Sequence, residues 1–186
     1  PRILQQATLA VEDASFYNHY GIDLKAIFRA MMTNFQARRI VEGGSTITQQ
    51  LSKTYFLSRK KNIERKIREA ILAVRLERIF SKKEILEMYL NQIYYGHGTY
   101  GVEAASRAYF GKHVGELSIS ECAMLSSLPK APNFYSPYRN PKQAIKRRNH
   151  AIRNMERNNY ITETQMMNEI ASNIKLGQIG DRLNKA

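Results

Sequence analysis

The sequence has one cysteine, Cys122, among its 186 residues. A single cysteine excludes an internal disulfide framework and a cysteine-rich metal site. Long apolar runs are also missing, because a run such as Ile71 to Val74 is far shorter than the ~18 residues that span a bilayer. The chain carries no signal-peptide pattern. We therefore expect any anchor or targeting segment to lie outside this sequence.

The charge is strongly one-sided. Lysine and arginine number 29 against 16 acidic residues, a formal net charge of +13. Such a surplus indicates a polyanionic partner, which could be nucleic acid, an anionic membrane surface or a phosphorylated substrate. Hydrophobic residues make up 43% of the chain, which is enough for a packed core and excludes a disordered polymer.

The hydrophobic periodicity predicts about eight helices. Capping boxes, in which a Ser or Thr is followed three residues later by Glu or Gln, are predicted at Thr46, Ser81, Ser118 and Thr162. The stretch from Tyr94 to Gly101 holds three glycines and three tyrosines and is predicted to be a loop. No convincing alternating strand is found, so the expected fold is all-α or nearly so.

The first candidate for chemistry is the adjacent acid pair Glu12 and Asp13, at the end of a predicted apolar helix. Neighbouring helical residues point about 100° apart, so these two carboxylates should meet different environments and can take different roles. The alternative is a solvated helix end. His19, a few residues later, is more typical of a hydrogen-bonded structural histidine.

The second candidate follows the break at Gly43-Gly44. Glycines allow close backbone approach, and a helix start after them exposes N–H groups to an anion. Lys53 lies four residues after Gln49, on the same helical face. This pattern indicates an anion cradle, or else an ordinary capped helix after a flexible loop. The spacing of a phosphate-binding P-loop is absent.

The third candidate is a charged turn of helix. Arg65, Lys66 and Glu69 are predicted to share one side. A carboxylate flanked by two cations holds them in place, which suits the binding of a pyrophosphate. The alternative is a surface ladder of salt bridges worth ~0.3–0.5 kcal/mol per pair.

A fourth segment, Ile22 to Phe35, carries apolar residues around most of a predicted helix, interrupted by Lys25 and Arg29. Such a basic and apolar helix is typical of the membrane interface, where arginine meets lipid phosphate. A helix buried on two sides would show the same pattern.

Taken in order, these motifs resemble those of the peptidoglycan glycosyltransferases (glycosyltransferase family 51), found in class A penicillin-binding proteins and monofunctional transglycosylases. The similarity covers roughly residues 3–160. The Arg148-Asn149 pair resembles the family's short fifth motif. The four longer motifs are E-D-x-x-F-x-x-H-x-G at Glu12–Gly21, G-G-S-T-I-T-Q-Q at Gly43–Gln50, R-K-x-x-E at Arg65–Glu69 and K-x-x-I-L-x-x-Y-L-N ending at Asn91.

The resemblance implies a mainly α fold with a lysozyme-like larger lobe and a smaller, membrane-associated lobe. It implies a glycosyltransferase domain over residues 1–172, followed by a flexible tail or linker at residues 173–186. The implied activity is polymerisation of lipid II into peptidoglycan glycan strands, with release of undecaprenyl pyrophosphate. The implied location is the extracytoplasmic (periplasmic) face of the cytoplasmic membrane. Moenomycin is expected to inhibit, whereas penicillin is not expected to bind this chain.

The resemblance also implies roles for individual residues. Glu12 would be the general base that accepts the proton of the acceptor hydroxyl. Lys66 and Arg65, with Lys53, would stabilise the departing pyrophosphate, and Glu69 would orient the first two. Asp13 would help to bind a bridging Mg²⁺ or Mn²⁺. The remaining expected substrate-binding residues are Ser45, Thr46, Gln49, Gln50 and Asn91.

Two other classes of protein fit part of the pattern. A lysozyme-like muramidase or lytic transglycosylase also uses one glutamate, but it cleaves glycan and needs no dense cationic cluster. A helical nucleic-acid-binding module would explain the net charge. It would be expected to concentrate its basic residues along one recognition helix, whereas here they are spread over nearly every segment.

Overall fold

The computed structural model describes residues 1–39, 43–56 and 63–177. This part of the chain forms nine α-helices and one short β-hairpin, so the expected mainly α fold is confirmed. The elements are α1 Arg2–Glu12, α2 Leu24–Ala37, α3 Ile47–Phe56, α4 Ile63–Ile79, α5 Lys82–Gln92, β1 Tyr94–Gly96, β2 Thr99–Tyr100, α6 Val102–Phe110, α7 Ile119–Ser127, α8 Pro141–Arg157 and α9 Glu163–Ala171.

The predicted capping boxes are confirmed. At the starts of α7 and α9, the hydroxyls of Ser118 and Thr162 each accept a hydrogen bond from the backbone N–H three residues later. The side chain of that later residue accepts from the N–H of the Ser or Thr in return. Thr46 makes the same exchange with Gln49 before α3. These bonds satisfy N–H groups that have no partner within the helix, so each helix begins at a defined residue.

The loop predicted from Tyr94 to Gly101 is wrong on either side of the turn at His97 and Gly98, where two short strands form. Tyr94 pairs with Tyr100, and Gly96 pairs with Thr99, in an antiparallel hairpin. Gly96 and Gly98 adopt positive φ angles of 93° and 72°, which only glycine enters without strain. Strands of three and two residues are too short to show the alternation by which strands are recognised.

The chain divides into two compact units. One joins Pro1–Ala14 to the chain from Leu90 onward, and the other is Ser15–Tyr89. The core of the first unit is α7, in which every residue from Ser120 to Ser127 is buried. Helices α1 and α8 pack against it, and the hydroxyls of Thr8 and Ser126 lie 3.1 Å apart. Most side chains of α7 are small or apolar, and its charged residue, Glu121, pairs with Lys112 at 2.7 Å, so the helix can be enclosed.

The chain beyond α9 is tied to this first unit. The buried guanidinium of Arg148 donates to the carbonyls of Ile170 and Ser172, at 2.9 Å each. Further on, the Tyr138 hydroxyl donates to the carbonyl of Gly177 at 2.7 Å. Residues 178–186 of the predicted tail lie outside the described residues, and the domain end at residue 172 stays a prediction.

The second unit is built where α3 packs along α4. Glu77 of α4 accepts hydrogen bonds from Thr48 of α3, at 2.6 Å, and from Lys82 of α5, at 2.7 Å. The Lys82 ammonium also lies 4.4 Å from the centre of the Phe16 ring. One mostly buried carboxylate therefore joins three helices, and Lys82 extends this group to the turn that precedes α2.

At Gly21 the chain before α2 lies very close to the backbone of α4. Its φ is +85°, and a Cβ there would lie 2.7 Å from the carbonyl carbon of Ala73 in α4. The Thr46 hydroxyl donates to the Gly21 carbonyl at 2.7 Å. A side chain at this position would push apart α4 and the start of α3.

Among the described residues, no helix combines the length and the apolarity that crossing a bilayer requires.

Gly21→Ala should lower the free energy of unfolding by about 2 kcal/mol or more, because it adds both a backbone clash and a disfavoured φ. Gly43→Ala is the matched control, since a Cβ there meets nothing within 4 Å. It should change stability by less than ~1 kcal/mol. Chemical denaturation followed by circular dichroism measures both, and equal stability of the two variants would contradict this account of Gly21.

Candidate active site

The predicted site residues fall into both units. Glu12, Asp13 and Asn91 belong to the first. The others belong to the second: Ser45, Thr46, Gln49, Gln50, Lys53, Arg65, Lys66 and Glu69. The second set is where the structure brings separate motifs into contact.

The centre of this set is the carboxylate of Glu69 on α4. Its side chain is 3% exposed, and it forms ion pairs with Arg65 one turn earlier and with Lys66, whose Nζ lies 2.8 Å from Oε2. The predicted grouping of these three residues is confirmed, and the alternative of a surface ladder is wrong because the shared carboxylate is buried. Burial restricts the positions of the paired side chains, because leaving either charge unpaired would cost several kcal/mol of stability, ~3–5 kcal/mol in typical cases.

Lys66 also links the second and third motifs. Its Nζ donates to the Ser45 hydroxyl at 2.7 Å, across 21 positions of sequence. Its side chain is 49% exposed, whereas that of Arg65 is 14% exposed. The cluster therefore presents one accessible ammonium, fixed by a hydroxyl and a carboxylate, with a more enclosed guanidinium behind it. This is an arrangement suited to binding an anion.

Thr46 and Gln49 bond to each other. The Thr46 N–H donates to Oε1 of Gln49 at 3.0 Å, and the Gln49 N–H donates to Oγ1 of Thr46 at 3.1 Å. Both residues are almost fully buried. The cap therefore occupies two N–H groups at the helix start that was expected to cradle an anion. Substrate contact by Thr46 and Gln49 stays a prediction.

Gln50 and Lys53 lie further along α3. The Tyr89 hydroxyl donates to Oε1 of Gln50 at 3.2 Å, so the second and fourth motifs also meet. Lys53 is exposed, although Gln49 on the same helical face is buried. Asn91, in the first unit, is exposed at the end of α5, and a Cβ at Gly101 would lie 2.6 Å from its carbonyl oxygen. The roles of these three in binding stay predictions.

Glu12 is the last residue of α1 and Asp13 is its C-cap. Asp13 is 7% exposed, and one carboxylate oxygen of Glu12, Oε1, is buried. The alternative of a solvated helix end is therefore wrong. The Glu12 carboxylate is thus partly removed from water, and its role as general base stays a prediction.

Tyr95 of β1 is a neighbour of Glu12 that the sequence analysis missed. It is 1% exposed. Burial raises the pKa of its phenol well above the ordinary value, and the negative charge of Glu12 raises it further. Tyr95 therefore stays protonated over the whole working pH range. It was missed because its strand was assigned to a loop.

The expected metal has little support from the chain's own donors. Within residues 1–39, 43–56 and 63–177, no group of three or more His, Cys, Asp or Glu side chains is placed to hold a metal ion. Asp13 would contribute a single carboxylate, whereas Mg²⁺ takes six oxygen ligands in near-octahedral geometry. A metal at Asp13 would therefore need most of its ligands from outside these residues, and the expected Mg²⁺ or Mn²⁺ stays a prediction.

Comparison with known proteins gives the family. A family model described as Transglycosylase matches residues 1–156. The chain belongs to the transglycosylase family. All the predicted site residues lie inside the matched range, so the resemblance seen in the motifs is confirmed.

Relatives of this transglycosylase chain carry penicillin-binding protein names. It is 54% identical to penicillin-binding protein 1A of Aquifex aeolicus, over 89% of this chain and 23% of that protein. It is 49% identical to penicillin-binding protein 1F of Bacillus subtilis, over 87% of this chain and 23% of that protein. The chain thus spans about a quarter of the length of these relatives.

A solved structure is similar as well. The crystal structure of penicillin-binding protein 1A from Haemophilus influenzae aligns with a TM-score of 0.51 at 39% identity, over 53% of this chain and 15% of that chain. The agreement in both fold and sequence supports the family assignment of the transglycosylase chain.

Glu69→Gln should lower the free energy of unfolding by about 2–4 kcal/mol, because it leaves two cations beside a neutral, buried amide. Glu64→Gln is the matched control on the same helix. Glu64 pairs with Arg68 in the same i,i+4 geometry, but both side chains are about two-thirds exposed, so the loss should stay below ~1 kcal/mol. Thermal and urea unfolding measure both, and a small effect at Glu69 would show that its ion pairs are not structural.

Proposed function

We propose that this transglycosylase domain polymerises lipid II into peptidoglycan glycan strands, with inversion at the donor sugar and release of undecaprenyl pyrophosphate. The observation that carries this proposal is the fixed cation pair on Glu69. A reaction whose leaving group is a diphosphate develops negative charge on that group in the transition state. Preorganised cations stabilise this charge without reorganising at the moment of reaction.

Lys66 and Arg65 have complementary parts in this proposal. The half-exposed Lys66 ammonium meets the diphosphate, and its direction is set by Ser45 and Glu69. Arg65 lies deeper and keeps the site positive behind it. Lys53, exposed on α3, adds positive charge to the approach. Glu69 acts as the positioning group and not as a nucleophile.

Glu12 is proposed as the general base. It takes the proton of the acceptor's 4-hydroxyl as that oxygen attacks the anomeric carbon of the donor, whose bond to the diphosphate oxygen breaks. A positioned base of this kind contributes about 10²–10⁴-fold. The burial of Oε1 and the neighbouring Tyr95, which stays protonated, support this role because they remove part of the carboxylate from water.

Further contacts complete the proposal. Ser45 and Gln50 are proposed to contact donor phosphate or sugar groups, together with Thr46, Gln49 and Asn91. Asp13 is proposed to contribute one carboxylate to a divalent cation, whose positive charge would help to neutralise the diphosphate. Moenomycin, a phosphoglycolipid, is proposed to compete for the same cations.

Helix α2 is proposed to contact the membrane. Its one buried residue is Ala30, so the alternative of a helix buried on two sides is wrong. The large apolar side chains that it exposes, by between 40% and 81%, are Leu24, Ile27, Phe28, Met31, Met32 and Phe35. An apolar surface of this kind, with basic residues beside it, matches the interface of an anionic bilayer. The proposed location is the extracytoplasmic face of the cytoplasmic membrane, where the substrate's lipid anchor would lie.

Glu12→Gln should reduce polymerisation by at least ~100-fold, because the amide cannot accept the proton. Binding of moenomycin should stay within about threefold of the parent chain, because the fold and the cations are unchanged. Gel analysis of products from labelled lipid II measures the first, and fluorescence polarisation measures the second. Glu87→Gln, at an exposed position of α5, is the control. Substantial activity of the Glu12 variant would remove this residue from the role of base.

Phe28→Asp combined with Met32→Asp should lower partition onto anionic liposomes by about tenfold or more, because it places charge on the apolar face of α2. The control pair is Phe134→Asp with Met167→Asp, which changes the same residue types at similarly exposed positions in the other unit. Sedimentation with vesicles measures both pairs. Equal effects of the two pairs would argue against α2 as the membrane contact.

The same chain should be incubated with lipid II and with purified glycan. Polymer from lipid II supports synthesis, whereas shortening of the glycan would instead show a lytic enzyme.

A further inference from the structure

Helix α4 carries a row of exposed isoleucines. Ile63, Ile67 and Ile71 are 81%, 56% and 49% exposed. Their spacing of four residues places them along about 12 Å of one side of the helix, within a sector of about 80°. Three branched apolar side chains in an unbroken line form a continuous surface, unlike apolar residues scattered singly.

The row begins beside the cation cluster. Lys66 lies three residues after Ile63 and directly before Ile67, which places it about 60° around the helix from Ile63. Its ammonium is held by Ser45 and Glu69, so its position relative to the row is set. An anion bound at Lys66 therefore has the apolar row next to it on the same helix.

The far border of the row is charged. Glu64 and Arg68 form an ion pair of 2.6 Å, and both are exposed. Arg75, one turn after Ile71, is exposed as well. The row is thus a narrow apolar track between Lys66 on one side and charged residues on the other. The apolar surface of α2, in contrast, covers most of that helix, as a bilayer contact would require.

An ammonium beside a narrow apolar track fits a ligand that joins an anionic group to an apolar chain. A polyprenyl diphosphate carries its charge at one end, followed directly by a chain of branched apolar units. We propose that Ile63, Ile67 and Ile71 hold the first isoprene units of the donor's polyprenyl chain, while Lys66 holds its diphosphate. This inference rests on the proposed function and adds to it a site for the lipid part of the substrate.

The test compares two probes, inorganic diphosphate and geranylgeranyl diphosphate, by isothermal titration calorimetry on the whole chain. Ile63→Gln, Ile67→Gln and Ile71→Gln are combined in one variant, because glutamine keeps good helix propensity. We expect this variant to bind geranylgeranyl diphosphate about tenfold more weakly than the parent chain. Its affinity for inorganic diphosphate should be unchanged.

The control is Ile79→Gln, at an isoleucine of the same helix that is 72% exposed and lies outside the row. It should change neither affinity. Lys66→Met should weaken both probes. Undiminished binding of geranylgeranyl diphosphate by the triple variant would overturn the proposal. So would a loss of liposome partition as large as that of the Phe28 and Met32 variant, because the row would then be a membrane contact.

The proposed function and the prenyl track give different results when either is wrong. If the parent chain binds geranylgeranyl diphosphate through the row but makes no polymer from lipid II, the proposed function fails and the prenyl track stands as a binding site. If the parent chain polymerises lipid II and the triple variant keeps full affinity for geranylgeranyl diphosphate, only the track is overturned.

Discussion

The burial of one carboxylate, Glu69, is the constraint on which the candidate site depends. A carboxylate removed from water is tolerated only when cations and hydrogen-bond donors surround it. Here Arg65 and Lys66 supply both, from the preceding turn of the same helix. Lys66 in turn binds Ser45, which precedes the capped start of α3. The positions of two cations and a hydroxyl thus follow from the need to satisfy one buried group.

The second unit buries charged groups while it exposes large apolar ones. The first unit encloses α7, and it too buries charged residues, among them Asp13, Glu121 and Arg148. In the second, Glu69, Glu77 and Thr48 are mostly or fully buried, while large apolar side chains of α2 and α4 face outward. Water alone would not favour this distribution. The membrane contact proposed for α2 would account for the apolar part of this distribution.

Much of the local structure could be predicted because its causes are local. A capping box is an exchange of hydrogen bonds between residues three apart, so Thr46, Ser118 and Thr162 identify the starts of their helices without knowledge of the fold. The grouping of Arg65 and Lys66 with Glu69 follows from helix geometry in the same way. The order of the motifs along the chain was sufficient to indicate the family, because motif order is a property of the sequence itself.

What the sequence determined by itself was therefore the helices, their caps, the charged turn around Glu69 and the family. The tertiary structure alone decided which of these groups are buried and what they meet across long separations. It placed Lys66 against Ser45 and Tyr95 near Glu12, enclosed Thr46 and Gln49, and tied the end of α9 to Arg148. Local patterns specify the side chains that a helix face offers. Burial depends on which other segment covers that face, and that is settled only when the whole chain packs.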